Sequence, residues 1–145
     1  DVTIVGISHM AVECLRAKNY LDAIGISAEI IDPVSLSPLD IDSIAESTRK
    51  TGNLLVVDNA WTNCGASAEI VAGTMEALQG AREFSVRRMG FEPVPCPTTK
   101  NLENLFYPNA QTIAAAANAL CHKQESPWIP QGEDAPEIAA FRGPF

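Results

Sequence analysis

Four short apolar runs alternate with longer segments of helical spacing, and this alternation constrains the fold more than any other feature. The first run is Val2-Thr3-Ile4-Val5-Gly6-Ile7. Its β-branched content predicts a buried strand. Ser8 then stands as an N-cap, and the spacing of Met10, Val12, Cys14, Leu15, Tyr20, Leu21 and Ile24 predicts a helix over about 9–24, stopped by Gly25. Ser27 to Ile31 reads as a second strand, broken by Asp32-Pro33. Ser37-Pro38-Leu39-Asp40 opens a second helix with Asp40 as its cap. Ile41, Ile44 and Ala45 form its inner face, and Lys50-Thr51-Gly52 closes it. Asn53 to Val57 is a third strand. Asp58 to Gly65 reads as a polar loop, and Ala66 to Leu78 as a helix with Ile70, Val71, Met75 and Leu78 inward. Phe84 to Met89 is a fourth strand.

Beyond it, Pro93, Pro95 and Pro97 forbid a ladder or a helix and predict an extended crossing. A helical turn fits Leu102 to Phe106, and the alanine-rich stretch Ala110 to Leu120 is helical. The spacing divides the chain into a domain at 1–122 and a proline-rich arm at 123–145. The arm lacks periodicity but carries Trp128, Ile129, Ile138, Phe141 and Phe145, which favours packing on a neighbouring surface. Strands alternating with helices predict an α/β domain with a mostly parallel sheet covered on both faces. Its crossovers are right-handed.

Composition narrows the function. Across 145 residues, 46% are apolar and 19% charged, as in a packed domain. The 10 Lys and Arg against 18 Asp and Glu give a net charge of −8. Such a chain repels phosphate backbones and anionic lipid at long range, so neither nucleic acid nor membrane is an expected partner. No apolar run reaches the length of a membrane span. Cys14, Cys64, Cys96 and Cys121 form no CxxC pair and read as reduced thiols of a cytoplasmic protein. Asp1 already lies inside an apolar run, so the expectation is a longer natural chain.

The loops after the strands are the places to look for chemistry, because open α/β sheets bind ligands at the carboxyl ends of their strands. No GxGxxG or Walker A pattern occurs. His9 at a helix start is a surface group or a base. Cys64 precedes a helix N-terminus, where a dipole lowers a thiol pKa; a nucleophile there would need His9 as its base. The other reading of this loop is that Trp61 and Glu69 anchor it and present it to another chain. Thr98, Thr99 and Lys100 are a phosphate contact or a solvated loop. Arg87 and Arg88 alternate across the fourth strand and predict an ion pair at an interface or inside the domain. No catalytic, cofactor or metal constellation emerges. The interface candidates are Asp58, Trp61, Glu69, Arg87, Trp128 and Phe141.

Three ordered segments resemble the C-terminal domain of the transketolase superfamily, and most closely the β subunit of the E1 component of 2-oxo acid dehydrogenases. The first is Ser27-Ala28-Glu29-Ile30-Ile31-Asp32 with Ser35-Leu36-Ser37-Pro38-Leu39-Asp40. The second is Thr51-Gly52-Asn53-Leu54-Leu55-Val56-Val57-Asp58, then Trp61, then Gly65-Ala66-Ser67-Ala68-Glu69-Ile70. The third is Gly90-Phe91-Glu92-Pro93-Val94-Pro95, then Leu102-Glu103 and Pro108. The chain departs from the family pattern at Val34, where an arginine is usual, at Asp58 and Asn59, where glutamates are common, and at Cys64 in place of glycine.

The resemblance covers about residues 2–120. It implies a three-layer α/β/α domain with a five-stranded sheet, one edge strand of which can run antiparallel. It also implies a domain that builds subunit contacts and binds no cofactor itself. In the parent enzyme, thiamine diphosphate and Mg²⁺ would sit between two other domains, and a 2-oxo acid such as pyruvate would be decarboxylated. The implied partners are an E1 α-type subunit or domain, a second β chain and the E2 core, in the cytoplasm or the mitochondrial matrix. The alternatives are the C-terminal domain of a transketolase or deoxyxylulose phosphate synthase, and a free-standing small enzyme using Cys64.

Overall fold

The computed structural model describes residues 1–80, 83–123 and 128–131. Its elements are β1 (Val2–Gly6), α1 (His9–Ala23), β2 (Ala28–Ile31), α2 (Ile41–Thr51), β3 (Asn53–Trp61), α3 (Ala66–Ala77), β4 (Ser85–Phe91), α4 (Lys100–Phe106) and α5 (Ala110–His122). The four strands form one parallel sheet in the order β2-β1-β3-β4. The expected fifth strand is not found among the described residues. The Arg87 region is β4 itself, and the proline-rich stretch after it has too few backbone donors to build a ladder.

The strands are apolar on both sides because both sides are covered. Val2, Ile4, Leu55 and Val57 face the layer of α1 and α5, where Met10, Cys14, Ala17, Leu21, Ile113 and Ala117 pack. Val5, Leu54 and Val56 face the opposite layer with Ile44 of α2 and Ile70 of α3. Each fully buried Val, Leu or Ile contributes about 1.5–3 kcal/mol, so the two apolar layers hold the sheet between them. Thr3 is buried too; its Oγ1 lies 2.7 Å from Ser47 Oγ and 2.8 Å from Thr51 Oγ1, so its hydroxyl is not left unpaired against α2.

Local chemistry sets the helix ends. Asp40 caps α2 by accepting Ser43 N–H at 3.0 Å, and Gly52 closes it in the left-handed region at φ 80°. Asn109 and Thr112 form a capping box on α5, with both bonds at 3.0 Å. Ser8 does not cap α1 with its side chain; its φ of 58° and ψ of −126° differ from the usual N-cap conformation. Two further expectations change. β3 runs on through Asp58 to Trp61, with a register shift between Val57 and Trp61, where a loop was expected. Met75 is 43% exposed; Thr74 takes the inward position, its hydroxyl satisfied by Ile70 O at 2.7 Å.

Candidate functional site

All four strands point their carboxyl ends the same way, and the chain reverses its direction of winding between β1 and β3. That switch point is where doubly wound sheets open a crevice. Ile7 N–H donates to Val57 O at 3.0 Å and draws the two strand ends together. His9, at the start of α1, is exposed and lies with Nε2 3.8 Å from Glu13 Oε1. Among the described residues no hydrogen bond joins it to Cys64. Asp58, at the bend of β3, is only 5% exposed. Burial pushes its carboxyl up from the ordinary value, against the opposing effect of a bond from Asn59 N–H.

The corner from β3 to α3 is built around Trp61. Thr62 N–H donates to Phe91 O at 3.2 Å, and Arg88 Nη1 donates to Thr62 O at 2.6 Å. Arg88 therefore secures a backbone carbonyl. Among the described residues neither it nor Arg87 forms an ion pair inside the domain. Gly65 leads into α3, and any Cβ there would strike the Trp61 carbonyl oxygen. A Cβ on Gly90 would sit 2.5 Å from Ala60 O, so the β4 backbone also passes close against this corner. Trp61 itself is 57% exposed, a large aromatic on a backbone pinned from two sides. Glu69 lies exposed in the first turn of α3, where a negative charge suits the helix dipole.

Trp61 ends β3 and Glu69 stands in the first turn of α3, both exposed, while Asp58 is buried three residues before Trp61 in β3. Arg87 stands apart on the outer strand β4. Trp128 packs against the apolar cluster beneath α1 and α5. Phe141 lies outside the described residues. The connections leaving β2, β3 and β4 also expose Val34, Leu36, Val94, Leu102 and Leu105.

Two features escape a reading of the sequence. Phe91, Phe106 and Tyr107 form an aromatic triad with ring centroids 4.7, 5.1 and 5.2 Å apart, which folds the proline-rich crossing and α4 onto the end of β4. Glu13 is buried in α1, held by Arg16 at 2.6 Å and by Ala110 N–H at 3.0 Å. A carboxylate three residues after Met10, on the inner side of a helix, is the signal that could have found it. Among the described residues no group of three or more His, Cys, Asp or Glu side chains could hold a metal ion. Among them, too, no helix is long and apolar enough to cross a membrane.

A parallel sheet wound in both directions, with helices on both faces and an apolar carboxyl end, defines a doubly wound α/β domain. The chain belongs to the transketolase C-terminal domain family, whose model matches residues 1–113. It is 39% identical over 123 residues to the mitochondrial pyruvate dehydrogenase E1 component subunit beta of Pisum sativum, covering 85% of this chain and 34% of that protein. It is 35% identical over 125 residues to the Dictyostelium discoideum counterpart, covering 86% and 35%. It is 39% identical over 117 residues to the acetoin:2,6-dichlorophenolindophenol oxidoreductase subunit beta of Cupriavidus necator, covering 81% and 35%. Among solved structures, a split-gene transketolase in an inactive β4 tetramer superposes with a TM-score of 0.71 at 28% identity, covering 84% of this chain and 39% of that one. The chain spans about a third of the length of the curated relatives it matches.

Proposed function

We propose that residues 1–122 are the non-catalytic C-terminal domain of a thiamine diphosphate-dependent 2-oxo acid dehydrogenase E1 β-type chain, and that this domain serves subunit assembly. The observation that carries the reading is the 39% identity to a pyruvate dehydrogenase E1 β subunit across 85% of the chain. The transketolase alternative is less favoured, since the relatives at 35–39% identity are β subunits of this oxidoreductase type. In the parent enzyme thiamine diphosphate and Mg²⁺ would be held by other domains, and the partners would be an α-type subunit, a second β chain and the E2 core. A bacterial cytoplasm or a mitochondrial matrix fits relatives of both kinds.

Trp61 and Glu69 are the proposed contact. Trp61 is large and rigidly mounted, and an exposed aromatic of that sort is the usual centre of a binding hot spot. The test is co-purification of this chain with an E1 α-type subunit, for the natural sequence and for Trp61→Ala. The expected result is a complex that the substitution weakens by at least about tenfold, the scale of a hot-spot residue. A natural chain that co-purifies with no such subunit overturns the assembly role, and an unweakened Trp61→Ala complex overturns the choice of surface. Measurable thiamine diphosphate binding by this chain alone would contradict the non-catalytic assignment.

A further inference from the structure

β4 is an outer strand, and its second edge meets no strand among the described residues. Ser85 N–H donates to Gly52 O at 3.0 Å, and Phe91 O accepts from Thr62 N–H at 3.2 Å. The odd-numbered residues of β4 therefore turn their backbone groups toward β3. The register shift of this pair falls between Val57 and Trp61 of β3, so the alternation in β4 is unbroken. Val86 and Arg88 accordingly turn their N–H and C=O groups to the open edge. The side chains alternate too. Val86 packs with the layer of α2 and α3, and Met89 with the layer of α1 and α5. Arg88 projects on the first side and Arg87 on the second, both exposed. On that second side a shallow groove is lined by both Arg87 and Lys123, together with Glu83. Among the described residues neither Arg87 nor Lys123 forms an ion pair. Arg88 spends one donor on Thr62 O and keeps the rest of its guanidinium fork. The open edge thus carries cations on both faces, in a chain whose net charge is −8.

We propose that this edge takes an extended acidic segment of another protein as an added strand. Main-chain bonds to Val86 and Arg88 supply affinity, as in other cases of strand addition. Neighbouring side chains of the added segment fall on opposite faces. One set of its carboxylates meets Arg87 and Lys123, and the other set meets Arg88.

Charge selects the occupant. Cations on an edge strand guard it against indiscriminate pairing. They repel basic segments and turn to attraction for acidic ones. A second copy paired through the same edge would set Arg87 and Arg88 of one chain beside those of the other, and like charges across a strand pair destabilise it. The overall negative charge of the chain acts from farther away. It is screened beyond about 8 Å at physiological salt, so the local cations set the preference at contact. The edge lies on the side of β4 away from β3, the strand that carries Trp61.

The probe is a fluorescent peptide of valine and glutamate about eight residues long, with a lysine-for-glutamate counterpart as control. Anisotropy with the full chain is expected to show the glutamate peptide binding at least about tenfold more tightly than the control. The double variant Arg87→Glu, Lys123→Glu is expected to weaken the glutamate peptide by a similar factor. Amide hydrogen exchange on the unsubstituted chain locates the contact and keeps the test open if the variant folds poorly. With the glutamate peptide at saturation, the Val86 and Arg88 amides are expected to exchange at least about tenfold more slowly, while those of α2 stay unchanged. No binding of the glutamate peptide, or equal binding of the two peptides, overturns the proposal. Unaltered exchange at Val86 and Arg88 overturns it as well. So does protection of these amides in the chain alone. Independent of concentration, it means that the chain covers its own edge; rising with concentration, it names a second copy as the occupant.

Discussion

Glu13 and Ala110 lie 97 positions apart in the chain, yet the Glu13 carboxylate accepts the backbone N–H that opens α5 at 3.0 Å. The other carboxylate oxygen takes Arg16 at 2.6 Å. One buried side chain therefore ties α1 to the start of α5 and closes the long crossing from β4. Glu13→Ala strips a buried donor of its acceptor and leaves Arg16 without its partner. The expected loss is about 2 kcal/mol in urea unfolding, within the range for an unsatisfied buried group. Glu13→Gln keeps an acceptor and should recover part of it. A loss below about 0.5 kcal/mol, the scale of an ordinary surface substitution, would remove Glu13 from this role.

Gly65 is needed for space. Its backbone is extended, with φ −81° and ψ 163°, so alanine suits the dihedrals but not the Trp61 carbonyl. Gly65→Ala must push the β3 corner outward, which is expected to cost about 1–3 kcal/mol, as overpacking does. Gly80 offers the contrast. Its surroundings leave open space for a Cβ, but its φ is 80°, so Gly80→Ala strains the backbone alone. Thermal melts are expected to fall for both variants, whereas co-purification with an α-type subunit should weaken only for Gly65→Ala. Equal co-purification of the two would separate the Gly65 corner from the proposed contact.

The order of elements was legible because it depends on local periodicity. Val2–Gly6, Asn53–Val57 and the Asp40 and Gly52 caps of α2 all follow from residues within a few positions of each other. The extension of β3 to Trp61 was not legible. Asp58 and Asn59 are poor strand formers, and pairing with Met89 and Phe91 across a register shift outweighs that preference. Arg87 and Arg88 suggested ion pairs, but charge alone does not say which partner is near, and Arg88 found a carbonyl instead. The corner of Trp61 and Glu69 was visible as a polar loop with an aromatic. The aromatic triad was not, because Phe91 and Phe106 meet only after the crossing folds back.

Asp58 gives a pH signature with a definite sign. Burial raises its carboxyl above the ordinary value of 3.8. The folded state therefore holds the proton over a range where the unfolded state has lost it. Stability falls as pH rises from the unfolded value through the folded one, and the penalty is constant above that. Asp58→Asn removes the ionisation. The variant is expected to gain on the natural chain between about pH 4 and neutrality, with the difference vanishing below the ordinary carboxylate range. Urea unfolding of both proteins across that range checks it, and parallel curves would show that Asp58 is not penalised by burial.

The thiols test the free-standing enzyme reading. Cys64 and Cys96 are exposed, Cys121 is half-buried and Cys14 is buried. Burial, reinforced by the neighbouring Glu13 charge, pushes the Cys14 thiol up to about 12. Burial also raises Cys121. The thiolate is the reacting species, so alkylation at about pH 8 is expected to label Cys64 and Cys96 first, Cys121 more slowly and Cys14 only on unfolding. Peptide mass mapping over time gives the order. The rate at Cys64 matters most. Among the described residues His9 lies beside Glu13 and forms no hydrogen bond with Cys64, so the pairing a Cys64 nucleophile would need is not formed there. Alkylation of Cys64 should match that of an unstructured cysteine peptide. A rate more than about a hundredfold above the peptide, the scale on which catalytic assistance shows, would restore Cys64 as a catalytic candidate.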